Sequence, residues 1–95
     1  MTHKILIADD EPNIVVSLEF LMKREGFQVL VARDGLQALQ MIRAERPALV
    51  LLDVMMPGKS GFEVCAEVRA DESLAGVKIV MLTAKGRDTD LAQGR

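Results

Sequence analysis

The sequence predicts an α/β domain built on a parallel sheet, and three observations predict it. Four short apolar runs recur along the chain, each stopped by polar or turn residues. Runs of that length suit strands buried on both faces. Segments with a helical spacing of apolar residues separate them, giving the order β-α-β-α-β-α-β with short links. That alternation implies right-handed crossovers and helices on both faces of the sheet.

The first run, His3-Lys4-Ile5-Leu6-Ile7-Ala8, is stopped by Asp9-Asp10-Glu11 and then Pro12. It reads as a strand, an acidic loop and a helix with proline in its first turn. Across residues 13–25, Ile14, Leu18 and Leu21 keep a helical spacing, and Val15 and Met22 widen the stripe. Lys23 and Arg24 fall in the last turn with Gly26 just beyond, the usual way a helix stops. Residues 27–32 read as the second strand. Asp34-Gly35-Leu36-Gln37 has the form of a capping box, and Ala38, Leu39 and Ile42 supply the buried face of that helix. Pro47 closes it.

The third run, residues 48–53, ends abruptly in one carboxylate, Asp53, before a turn through Pro57 and Gly58. Ser60-Gly61-Phe62-Glu63 is a second capping box and opens a helix to about residue 70. Residues 71–76 read as a polar link and residues 77–82 as the fourth strand, ending at Thr83-Ala84. Residues 85–95 are polar with two glycines, with a helix start near Asp88 and little to bury.

Composition narrows the function. Ninety-five residues make one domain, 49% hydrophobic and 27% charged, as in soluble globular proteins. A net charge of −2 gives no basic footprint for nucleic acid. No apolar run approaches the roughly 20 residues that span a bilayer. Acids at Asp9 and Asp10 interrupt any signal-peptide pattern. The one cysteine, Cys65, lies in a helical pattern and reads as a small buried hydrophobe, neither disulfide nor metal site. Together these features point to the cytoplasm.

In open parallel sheets, ligands bind outside the carboxyl ends of the strands. The first strand delivers Asp9 and Asp10 to that edge, the third Asp53 and the fourth Thr83. Carboxylates that close repel by a few kcal/mol at an effective dielectric of about 20, so the cluster calls for a cation. Oxygen-only ligands favour Mg²⁺ over zinc or copper. The plainer readings are an acidic helix N-terminus at residues 9–11, a capping role for Asp53 and a core-facing Thr83. The first of these explains one or two acids but not acids on two strands. A carboxylate beside Mg²⁺ can attack phosphorus to form an acyl phosphate, and Thr83 can then hydrogen-bond a phosphoryl oxygen.

With these residues in hand, the chain resembles the receiver domain of two-component response regulators over all 95 residues. Asp9-Asp10 followed by Glu11-Pro12 resembles the family's acidic pair. Asp53 with Met56-Pro57 and Gly61 fits its phosphoacceptor loop, D-x-x-M-P-x-x-x-G, and Thr83-Ala84 resembles its switch position. The resemblance implies a flavodoxin-like doubly wound sheet with strand order 2-1-3-4 and a fifth strand missing. It implies that Asp53 accepts phosphate from a phosphohistidine on a sensor kinase or phosphotransfer protein. Asp9, Asp10, Asp53 and the backbone carbonyl of Met55 would hold Mg²⁺. The Thr83 hydroxyl and Ala84 amide would bind the phosphoryl group. The chain would be a signalling module, with at most self-phosphorylation and dephosphorylation at Asp53.

Family members continue through a fifth strand, which ends in a phosphate-pairing lysine, and a fifth helix. The chain ends at Arg95, so the expectation is a truncated receiver domain over residues 1–95 with impaired phosphorylation or switching. Neither Lys59 nor Lys85 takes that lysine's place; Lys59 reads as a solvated loop residue rather than a phosphate contact. An open fourth strand and an uncovered stripe on the first helix predict a homodimer or strand-exchanged assembly.

Three competing readings remain at this level. A haloacid dehalogenase-type phosphatase wants a second acid two residues after its aspartate, where Met55 stands. A flavodoxin-like mononucleotide binder needs a phosphate cradle where Asp9-Asp10-Glu11 has the wrong charge. The third is a non-phosphorylatable assembly fragment.

Overall fold

The computed structural model describes residues 3–82. Four parallel strands, β1 (Lys4–Ala8), β2 (Gln28–Ala32), β3 (Leu49–Asp53) and β4 (Lys78–Leu82), form one sheet in the order β2-β1-β3-β4. Helices α1 (Pro12–Arg24), α2 (Gly35–Glu45) and α3 (Gly61–Ala70) make the crossovers. This is the flavodoxin-like order expected, and each boundary falls within a residue of its expected place. Each strand starts one residue later than expected. Before β2 and β4 the residue concerned serves the preceding turn, the Phe27 N–H donating to the Met22 carbonyl and the Val77 N–H to the Leu74 carbonyl.

Strand alternation divides the core between two faces. Leu6 and Ala8 of β1, with Val50 and Leu52 of β3, join Ala38, Leu39 and Ile42 of α2 and Val64 and Val68 of α3 in one buried cluster. Ile5 and Ile7 point the other way and are equally buried, on the side where α1 contributes Val15. The outer surface of α1 keeps Val16 and Phe20 exposed, with the Arg24 guanidinium 5.9 Å from the Phe20 ring centroid.

Helix ends follow their local chemistry. Pro12 sits in the first turn of α1, and Gly26 takes φ +95° just past its end. The Phe27 N–H then donates to the Met22 carbonyl, closing a Schellman motif. At α3 both halves of the capping box form: Ser60 Oγ accepts from the Glu63 N–H, and Glu63 Oε1 accepts from the Ser60 N–H. At α2 only half forms. Asp34 Oδ1 accepts from the Gln37 N–H at 2.8 Å, but Gln37 Oε1 reaches past it to the Arg33 N–H. The end of α2 is a left-handed residue, Arg46 at φ 46°, ahead of the buried Pro47.

One expectation is corrected. Residues 71–76 are not merely a polar link, because Glu72–Leu74 forms a 3₁₀ turn that sends Leu74, 1% exposed, into the core. Asp71 holds the turn, its Oδ1 accepting from the Ser73 N–H and hydroxyl at 3.0 and 2.7 Å. Cys65 is half-buried on α3 and packs against the core, as a small hydrophobe does.

Candidate functional site

Register decides which strand tips meet. Ala8 pairs with Leu52 across β1 and β3, so the next residues, Asp9 and Asp53, stand side by side at the carboxyl edge. Asp9 extends the ladder one step, its N–H donating to the Ala32 carbonyl at 3.1 Å. Both Asp9 and Asp53 are 1% exposed, whereas Asp10 reaches solvent. One carboxylate oxygen from each of the three lies within 4.8 Å of the others.

Backbone donors orient two of these groups. Asp9 Oδ1 accepts from the Glu11 N–H at 2.9 Å, tying it to the start of α1. Asp53 Oδ1 accepts from the Met55 N–H at 3.4 Å, a longer contact within its own loop. Two buried carboxylates and a third beside them are costly to hold as anions unless positive charge balances them. Three convergent oxygens, open to water on the Asp10 side, suit a hard divalent cation with water completing its shell. The donor set therefore fits Mg²⁺ and offers no nitrogen or sulfur to a softer metal.

The loop after Asp53 forms one wall of the site. It turns at Gly58, φ +79°, and returns so that the Gly61 N–H donates to the Val54 carbonyl at 2.9 Å. A Cβ at position 61 would stand 2.2 Å from the Asp53 carbonyl oxygen, so only glycine lets α3 begin this close to the strand end. A cleft of about 380 Å³ opens beside the acids, lined by Asp10, Val54, Met55, Met56, Pro57 and Ser60. A larger surface groove of about 520 Å³ lies between α2 and the 3₁₀ turn, lined by charges of both signs but by none of Asp9, Asp10 and Asp53.

The expected site residues divide as follows. Asp9, Asp10 and Asp53 come together. Met55 lines the cleft and is 63% exposed. Thr83, Ala84 and Lys85 lie outside the described residues. Lys59 is not simply solvated: its Nζ lies 2.6 Å from Glu67 Oε2 on α3. That hydrogen bond raises the Lys59 ammonium above its ordinary value and lowers the Glu67 carboxyl below its own. One residue of the loop's support, Gly35, was read only as part of a cap. No local signal marked it, because the space it leaves is taken by Lys59, which the fold brings there.

Residues 5–95 match the sequence profile of the response regulator receiver domain. The chain belongs to that family. Among curated relatives, the DNA-binding response regulator MtrA of Mycolicibacterium smegmatis is 47% identical over 94 residues, which is 99% of this chain and 40% of that protein. The chain thus spans about two-fifths of the length of the curated relatives it matches. Two solved receiver structures share the fold. One is the receiver domain of a sensor histidine kinase from Pseudomonas aeruginosa with a magnesium ion coordinated in its active-site cleft. It has a TM-score of 0.85 and 28% identity, over 97% of this chain and 75% of that one. The other is the response regulator TrrA of Thermotoga maritima in complex with Mg²⁺ and BeF, with a TM-score of 0.79 and 38% identity, over 99% and 80% of the two chains.

Proposed function

We propose that this receiver domain is a phosphoacceptor module of a two-component phosphorelay, with Asp53 as the residue that carries the phosphoryl group. The observation that supports this most directly is the convergence of Asp9, Asp10 and Asp53 within 4.8 Å at one sheet edge. In the reaction, an Asp53 carboxylate oxygen attacks the phosphorus of a phosphohistidine on a sensor kinase or phosphotransfer protein. The new O–P bond makes an acyl phosphate while the P–N bond breaks, and the departing imidazole nitrogen keeps the electron pair and takes a proton.

Asp9, Asp10, Asp53 and the Met55 carbonyl would hold Mg²⁺, as the magnesium-bound receiver relatives encourage. When bound, the cation offsets negative charge on the phosphoryl oxygens. The protein's own part is positional. Burial of Asp53 to 1% exposure limits water around the nucleophile, and its strand fixes the direction of approach. The Thr83 hydroxyl and Ala84 amide complete the proposal as donors to the phosphoryl oxygens. Chemistry at this chain's own residues is confined to gain and loss of phosphate at Asp53.

Intact-mass measurement after incubation with acetyl phosphate and Mg²⁺ tests the reading. Wild type should gain one phosphoryl group and Asp53→Asn none; flavin absorbance or phosphoester turnover would instead favour the alternatives. The proposal extends to a homodimer or strand-exchanged assembly through β4. Among the described residues β4 pairs with β3 alone, and Val80 on it is 47% exposed. A monomeric mass in light scattering at micromolar concentration would remove that extension.

A further inference from the structure

Gly35 opens α2, directly after the capping Asp34. Its N–H donates to the Pro57 carbonyl at 3.2 Å, joining the helix start to the loop that follows Asp53. A Cβ at this position would stand 2.1 Å from the Lys59 carbonyl oxygen and 2.6 Å from the Lys59 Cβ. Among the described residues the glycines with positive φ are Gly26 and Gly58, so position 35 needs glycine for space and not for backbone conformation. From the other side, the Lys59 ammonium is held by Glu67 on α3, and Glu67 also meets Arg43 of α2 at 3.7 Å. Residues 57–59 are thereby held at both ends, by the backbone of α2 and by a charged side chain of α3.

We propose that Gly35 and Glu67 are positioning residues for phosphoryl uptake at Asp53. This inference rests on the phosphoacceptor reading above. The held segment continues into Val54, Met55 and Met56, which wall the cleft, and the Met55 N–H orients Asp53 Oδ1. A shift of residues 57–59 to admit a methyl group at position 35 is passed along this short loop to the carboxylate. Displacements near 1 Å at a reacting group are enough to cost rate steeply. The two contacts differ in rigidity. Gly35 meets backbone that cannot turn aside, whereas Lys59 and Glu67 are each about one-third exposed and hold the loop more loosely.

The test follows phosphate uptake from acetyl phosphate with Mg²⁺ at varied donor concentration, alongside thermal melting of each protein. Gly35→Ala should lower the maximal rate about tenfold or more without changing the donor concentration for half-maximal rate. Alanine is a better helix former than glycine, so α2 itself gives no reason for that loss. Glu67→Gln and Lys59→Met should slow uptake by less than about fivefold, as fits a partly exposed ion pair, and Lys59→Arg should restore the rate. If Gly35→Ala does not fold, the Glu67 and Lys59 surface variants carry the test. Wild-type rates in folded Gly35→Ala and Glu67→Gln, or losses that only track the unfolded fraction, overturn the inference while leaving Asp53 as phosphoacceptor. A wild type that takes up no phosphate overturns both readings.

Discussion

Asp9 and Asp53 leave neighbouring parallel strands one step beyond the register pair Ala8 and Leu52, and both are buried to 1% exposure. Two carboxylates from distant parts of the chain are thus fixed by hydrogen-bonded backbone, with the exposed Asp10 alongside. The site inherits the rigidity of the sheet, and the first prediction follows from its charge.

A cation that binds this cluster in the folded state and not in the unfolded chain must stabilise the fold by mass action. At a hundredfold excess over the dissociation constant the gain is about 2.7 kcal/mol. Melting of the wild type should rise with Mg²⁺ and return to baseline with a chelator. Asp10→Asn and Asp53→Asn should blunt the rise. A melting temperature indifferent to Mg²⁺ across millimolar concentrations would remove the cation from the proposal.

Gly61→Ala tests the close approach of α3 to the end of β3. The added methyl group would stand 2.2 Å from the Asp53 carbonyl oxygen, which belongs to a central strand and has little room to yield. Overpacking of this kind costs about 1–3 kcal/mol. Urea unfolding should show a lower midpoint with an unchanged slope, and phosphate uptake should fall with the displaced Asp53. Wild-type stability would mean the helix start shifts freely.

Leu74→Ala tests the 3₁₀ turn. Leu74 is 1% exposed and joins the cluster with Val68 and Val77, so truncation leaves a cavity beneath α3. The expected loss is about 2–5 kcal/mol, a large part of the stability of so small a domain. Denaturant unfolding reads it directly. A cost below 1 kcal/mol by the same measure would return residues 71–76 to the status of a surface link.

Acid should weaken the fold through Asp71 and Glu67. Hydrogen bonds from Ser73 lower the Asp71 carboxyl below its ordinary value, and the Lys59 hydrogen bond lowers Glu67. A carboxyl with a depressed folded value adds stability above its unfolded value and loses it as pH falls through the folded one. The loss therefore belongs to the range below about pH 4.5. Both groups are only partly buried, so the effect should be small and reduced by salt. Ser73→Ala should make the acid limb of the melting curve shallower, while raising pH from 6 to 8 should leave this contribution unchanged.

The order of elements, the parallel sheet and the identity of the three acids were legible in the sequence. Apolar run length, capping residues and turn residues are local properties, and the tips of β1 and β3 carried the carboxylates themselves. Ser60 and Glu63 formed the capping box their spacing describes. Gln37 did not complete the corresponding box at α2, since the Arg33 N–H lay within its reach. Leu74 was hidden inside a polar stretch, where one apolar residue makes no periodic signal.

What only the tertiary structure decided are the relations between chain segments that no local pattern encodes. Strand register set the spacing of Asp9, Asp10 and Asp53, and the path of the loop before α3 gave Lys59 a partner in Glu67. The packing of that loop against the start of α2 turned Gly35 from a residue at a helix cap into the space that the Lys59 backbone occupies. The physical reason is that residue type and periodicity act over a few positions, whereas excluded volume and charge act between whatever the fold brings together.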